Sequence, residues 1–184
     1  MKRIFKKPFF LIFIFCYLTN FYAFSLEVTL TQGTIKPTPI AVTNFFSNET
    51  HSQKIGKNIS QLISDNLERS GLFLPINKKA FIQDISSLAI QPRFEDWKII
   101  KAQHLISGKI SQSNDKITVE FRLYDVFAQK QLLSKRFETS DRNWRRVSHI
   151  ISDAVFERVT GEGGYFDTRI VYIAETGSKK KKQK

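Results

Sequence analysis

Three histidines, His51, His104 and His149, are the first residues to test for metal or acid–base chemistry. Imidazoles do that work when they share a helix face or converge at ligand spacing. These three fall in separate elements with no common spacing, so they read as surface or half-buried side chains. Two carboxylate pairs come next. Asp65 and Glu68 share one helical segment, as do Asp153 and Glu157. Such pairs catalyse proton transfer when their surroundings split their pKa values. On a solvated helix face they are solubilising charge, and Lys57, Arg69 and Arg158 are at hand to balance them. Gly161, Gly163 and Gly164 form a glycine-rich turn. A phosphate cradle needs glycines between a strand and a following helix. Here the order is helix, glycines, extended segment, which reads as a helix stop and hinge. No serine lies in a nucleophile elbow and no phosphate-loop lysine motif occurs. Cys16 is the single cysteine and lies in an apolar N-terminal run. The rest of the chain therefore offers no thiol for a disulfide, a nucleophile or a metal, which fits an oxidising compartment. The expectation is a protein with no catalytic residue, no cofactor or metal site and no small-molecule substrate.

The two ends carry most of the charge. The chain is +12, with 29 basic and 17 acidic residues. Lys2, Arg3, Lys6 and Lys7 supply four of the positive charges, and Lys179 to Lys182 with Lys184 supply five more. Leu26 to Ser178 is then only +3. A nucleic-acid binder carries its positive charge as a patch on the folded face, so no nucleic-acid partner is expected. The lysine tail reads as a solvated charge run. An alternative is an exported interaction module that binds anionic surfaces through that tail.

Residues 1–25 read as an export signal. A basic start precedes the apolar run Phe9 to Tyr17, which is shorter than the ~20 residues of a spanning helix. Ala23 and Ser25 set small side chains at the −3 and −1 positions, so cleavage is expected between Ser25 and Leu26. An uncleaved anchor extending to Phe24 is the competing reading. The periplasm is the implied location.

Further along, Ile40 to Phe46 is a near-continuous apolar run, typical of a buried central strand. Ile55, Ile59, Leu62, Ile63 and Leu67 recur at helical spacing and predict a helix over Ser52 to Ser70, ended by Gly71. Leu72 to Leu74 is a short strand closed by Pro75. In Asn77 to Arg93, Phe81, Ile82, Ile85 and Leu88 could face the core from a loop or short helix. Glu95 to Ala102 reads as another short helix, with Trp97, Ile100 and Ile99 as inward candidates. Strands follow at Leu105 to Ile110, Ile117 to Asp125 and Gln131 to Thr139. In the second, Ile117, Val119, Phe121 and Leu123 alternate with Thr118, Glu120, Arg122 and Tyr124, which predicts an antiparallel sheet with one wet face. A second long helix is expected over Asn143 to Thr160, capped by Ser140 or Asp141 and stopped by Gly161, with Trp144, Val147, Ile151, Ala154 and Val155 inward. The fold class is α/β (α+β): a mixed sheet with two long helices packed on one face.

At the expected mature start, Leu26, Val28 and Leu30 alternate with Glu27, Thr29 and Thr31, running on through Gln32 to Gly33. The proline-containing stretch Thr34 to Pro39 isolates this segment. It is either a permanent terminal strand or a free arm able to augment a partner's sheet edge. Residues 26–36 are thus taken as an arm, 37–161 as the domain and 162–184 as a linker, a strand over Asp167 to Glu175 and the lysine tail. A strand needs neighbours, so residues 162–184 read as the start of a second domain that is missing.

Three segments carry a family resemblance: Leu67 to Phe73 (LERSGLF), Ser152 to Thr176 (SDAVFERVTGEGGYFDTRIVYIAET) and the mature start Leu26 to Leu30 (LEVTL). Together they resemble the TolB family, periplasmic components of the Tol–Pal system of Gram-negative bacteria. The long junction segment is the most specific, with Phe156, Thr160, Gly161, Gly164, Phe166, Thr168, Arg169, Ile170 and Tyr172 at matching positions. The resemblance implies an α/β domain followed by a six-bladed β-propeller, and a binding protein rather than an enzyme. It implies that residues 26–33 detach to bind the C-terminal domain of TolA. It implies Pal binding by the propeller, which does not carry over to this chain. The implied role is maintenance of outer-membrane integrity and envelope constriction at cell division, by a chain truncated at the propeller's first strand.

Overall fold

The computed structural model describes residues 36–84, 86, 91–113, 116–169, 171 and 173. The arm 26–33 and the expected cleavage site Ser25–Leu26 lie outside the described residues, as do Ile85 and Leu88.

Strands β1 (Thr38–Val42), β2 (Phe73–Pro75), β3 (His104–Ser113), β4 (Lys116–Asp125) and β5 (Lys130–Ser140) form one five-stranded sheet in the order β2-β1-β3-β4-β5. β1 runs parallel to both neighbours, with Thr38 opposite Phe73 and Ile40 opposite His104. β3, β4 and β5 form an antiparallel meander. The mixed sheet expected from the sequence is therefore present. The apolar run from Ile40 to Phe46 divides, because the strand ends at Val42. Beyond it, Phe46 makes only an isolated parallel bridge to Lys109.

Helices α1 (Thr50–Arg69) and α3 (Trp144–Thr160) cover one face, and α2 (Phe94–Ile99) lies between β2 and β3 in the chain. Period-two alternation assigns the faces. Ile40, Val42, Ile106, Ile110, Ile117, Val119, Phe121 and Leu123 join one buried cluster with Ile55, Ile59, Ile63 and Leu67 of α1 and Val147, Ile151 and Val155 of α3. Ala41, Leu105 and Tyr124 point the other way and are buried with Trp97, Ala102 and Val126. The reading of one wet face needs correction there. Tyr124, grouped with the solvated set, is buried, because Phe94 of α2 packs edge-on to its ring at 5.9 Å. Of the inward candidates on the short helix, Trp97 is buried whereas Ile99 is 70% exposed. Phe81 packs edge-on to Trp97 at 5.0 Å, and Ile82 is exposed.

Helix ends follow local chemistry. Gly71 (φ 73°) and Gly161 (φ 79°) adopt the left-handed conformation that stops α1 and α3, as their positions predict. The expected cap on α3 is not formed. Neither Ser140 nor Asp141 makes a side-chain capping bond. A 3₁₀ turn, Asp141–Asn143, leads into the helix and the Trp144 amide donates to the Asp141 carbonyl instead. At α1, Gly56 lets the helix approach the loop after β1, because a Cβ there would meet the Phe45 carbonyl. The same Phe45 ring fills the space that Gly108 of β3 leaves empty. The helices meet over a polar link: Asn66 Nδ2 lies 3.0 Å from both Ser152 Oγ and His149 Nδ1.

Candidate functional site

The groups singled out for catalysis stay apart. His51 lies 3.7 Å from Asp141 near the start of α3. His149 faces Asn66 between the helices. His104 opens β3 and is buried, and its Nδ1 has no hydrogen-bond partner among the described residues. Burial pulls its pKa below the usual histidine value, and nearby Asp125 acts against that shift. No group of three or more histidine, cysteine, aspartate or glutamate side chains is placed to hold a metal among the described residues.

One carboxylate expected to be solvated charge has a structural task. Asp153 accepts the amide hydrogens of Phe166 (2.7 Å) and Asp167 (3.0 Å). The chain after Gly161 thereby turns back along α3. Tyr165 and Phe166 pack on Phe156 at 5.4 and 5.8 Å, and Arg146 closes on Asp167 at 3.4 Å. Gly164 belongs to this turn, since a Cβ there would strike Asp153. The glycines are thus a helix stop and a close crossing. The described positions of 162–173 form no strand, and Val171 is 92% exposed.

Two features remain that other molecules could use. The first is the β5 edge. It is eleven residues long, mostly exposed, and carries Lys130, Lys135 and Arg136. Its Leu132 carbonyl already accepts from Arg158 Nε of α3 at 3.1 Å. Lysine and arginine on an edge are a common protection against unwanted pairing.

The second is a crevice at the carboxyl ends of β1 and β2. After β1 the chain leaves to α1 on one face of the sheet. After β2 it leaves to the segment that carries α2 on the other face. Connections that diverge in this way open a cleft at the strand ends, where open α/β sheets commonly bind ligands. One recess, about 540 Å³, is lined by Asn44, Phe46, Thr50, Lys54, Lys57 and Asp84 among others. A second, about 370 Å³, shares Asn44 and Asp84 and adds Lys78, Phe81 and Ile82. Lys78 Nζ donates to Asn44 Oδ1 at 2.7 Å and Ser60 Oγ at 2.8 Å. Burial lowers the Lys78 pKa, neighbouring Lys57 adds to that, and Asp65 opposes it. Sequence reasoning missed this group, since Asn44, Ser60 and Lys78 lie in three segments with no periodic signal. The proline-ended strand before Lys78 and the polar Asn44 within an apolar run were the only hints.

The loop between β2 and α2 is held by another residue the sequence did not mark. Gln83 is buried, and its Oε1 accepts from Trp97 Nε1 (3.0 Å) and the Arg93 amide (2.8 Å), while its Nε2 donates to the Gln91 carbonyl (3.1 Å).

Comparison with known proteins places this architecture. The model of the TolB amino-terminal domain matches residues 26–132, more than half of the chain. The crystal structure of TolB from Acinetobacter baumannii is similar with a TM-score of 0.60 and 25% identity, over 72% of this chain and 30% of that one. This chain therefore spans about 30% of the length of that TolB. Lipoprotein GNA1162 from Neisseria meningitidis matches more loosely, with a TM-score of 0.46 and 12% identity over 56% of this chain and 81% of that one. The hypothetical protein CT253 from Chlamydia trachomatis gives a TM-score of 0.42 and 18% identity over 56% and 71% of the respective chains. The two looser likenesses carry no functional argument. The family match and the A. baumannii likeness agree with the mixed sheet and its helices: the chain belongs to the TolB amino-terminal domain family.

Proposed function

We propose that this protein is a non-enzymatic periplasmic adaptor of the Tol–Pal envelope machinery, whose contact with the C-terminal domain of TolA is the arm Leu26 to Gly33. The family match from residue 26 onward carries this reading, because it starts at the residue after the expected cleavage point and takes in the arm. Among the described residues no helix is long and apolar enough to cross a membrane. The arm's alternation gives the binding mode. Its backbone groups add to a sheet edge on the partner, while Leu26, Val28 and Leu30 fill pockets on one side. Residues 1–25 act as the removable signal, 26–36 as the arm and 37–161 as the folded body. Through such contacts the protein serves outer-membrane integrity and constriction at division. Pal is not assigned as a partner of these residues.

Deleting residues 26–33 is expected to abolish calorimetric binding to the TolA C-terminal domain and to leave the melting transition of the body unchanged. Retained affinity in the deletion rejects the arm as the contact.

A further inference from the structure

The crevice at the strand ends is built from residues 44–86 of the folded body. Two lysines line its larger recess and a third lines the adjoining one, the two recesses sharing Asn44 and Asp84. Lys54 and Lys57 stand one turn apart on α1, and Lys78 faces them from beyond β2. Lys78 is held in place by Asn44 and Ser60, both neutral. A half-buried ammonium is usually paired with a carboxylate, yet here both acceptors are uncharged oxygens. An ammonium has three donors, and these two acceptors use two of them. Ser60 Oγ also lies 3.0 Å from Asn44 Oδ1 and 2.9 Å from the Lys57 carbonyl, and its one proton serves one of the two. Asp84 lines both recesses and its Oδ1 accepts from the Ser86 amide and hydroxyl at 2.8 and 3.1 Å.

Lysines act as compact point charges rather than as planar forks. Lysines spread over two adjoining open recesses, with Lys57 close enough to Lys78 to repel it, suit a multiply charged, roughly tetrahedral group better than a planar carboxylate. We propose that the crevice between the β1–α1 loop and the segment after β2 is a binding site for a phosphoryl group, with Lys78, Lys57 and Lys54 as its cationic ligands. The phosphoryl group arrives on a soluble phosphate or phosphomonoester, or on a phospholipid headgroup. Binding offsets the mutual repulsion of Lys57 and Lys78 and occupies the remaining donor of Lys78.

Titration of the full-length protein with inorganic phosphate at constant ionic strength, followed by amide NMR, tests the site. The expected result is saturable shifts centred on Asn44, Lys57, Lys78 and Asp84, with about tenfold weaker affinity in Lys78→Met or Lys57→Gln, or more. Lys57 is exposed, so Lys57→Gln keeps the test intact if Lys78→Met fails to fold. A second arm measures co-sedimentation with phosphatidylcholine vesicles, with and without phosphatidic acid. Saturation by free phosphate alone assigns the soluble source. Vesicle binding that needs phosphatidic acid and is lost in Lys57→Gln assigns the headgroup. Non-saturating shifts spread over all lysines, or binding of either probe that Lys57→Gln leaves unchanged, overturn the proposal.

Discussion

Gln83 shows how one neutral side chain ties together residues distant from it in the chain. Its amide oxygen receives two hydrogen bonds and its amide nitrogen gives a third. Replacing it with leucine leaves the buried Trp97 indole N–H without its acceptor, while the Arg93 amide can turn to water. An unsatisfied buried donor costs about 1–3 kcal/mol. Gln83→Leu is therefore expected to lose about 1–3 kcal/mol in denaturant unfolding and to change Trp97 fluorescence, while β3–β5 keep their amide shifts. His104 makes a different demand. Its folded pKa is lowered by burial, with Asp125 acting in opposition. Below the unfolded value of about 6.5 the denatured chain binds the proton more readily than the native one. Stability is thus complete above that pH and falls as pH drops through the window down to the lowered folded value. His104→Leu should flatten this slope in urea titrations carried downward from about pH 6.5. An unchanged slope would remove His104 as its source.

At the level of elements, α1 meets the loop after β1 through a glycine rather than a side chain. In an exposed helix, Gly→Ala gains about 1 kcal/mol. Gly56→Ala is expected to do the reverse, because its methyl group meets the backbone carbonyl of Phe45, which cannot rotate away. Overpacking of this kind costs about 1–3 kcal/mol, so the net change is a lower Tm. Gly163, which has nothing within 4 Å, is the neutral control. The long elements were legible in the sequence for a plain reason: their burial is one-sided. Ile55, Ile59, Ile63 and Leu67 mark α1, and Ile117 to Leu123 mark β4, by period alone. The short helix α2 was placed, but its effect on Tyr124 was not, since covering the second face is a tertiary event. The amino-terminal cap of α3 was not legible, because a 3₁₀ turn over Asp141–Asn143 takes the place of a side-chain cap. The crevice stayed invisible because Asn44, Ser60 and Lys78 become neighbours only when β1 is inserted between β2 and β3. Asp153 was mistaken for solvated charge because its partners are backbone amides 13 and 14 residues on, a signal no side-chain pattern carries.

For the molecule as a whole, the sheet joins two halves of different character. β3, β4 and β5 follow one another closely in the chain and pair with their sequence neighbours. β1 pairs only with strands that arrive much later, Phe73 on one side and His104 on the other. Closing those long loops costs entropy before any contact returns it. Residues 36–103 made alone are expected to give no cooperative thermal transition by circular dichroism, although they contain α1 and β1. A sigmoidal melt from that segment would show that the parallel half stands without the meander. The central position of the first strand also has a temporal meaning. A chain delivered amino-terminus first, whether from a ribosome or through a secretion pore, presents Ile40–Ala41–Val42 long before Leu105 and Ile106 emerge. At about 5–20 residues per second that delay is on the order of ten seconds. Throughout it an apolar strand has no native neighbour on one side, so this tripeptide is where a holding chaperone would find its grip.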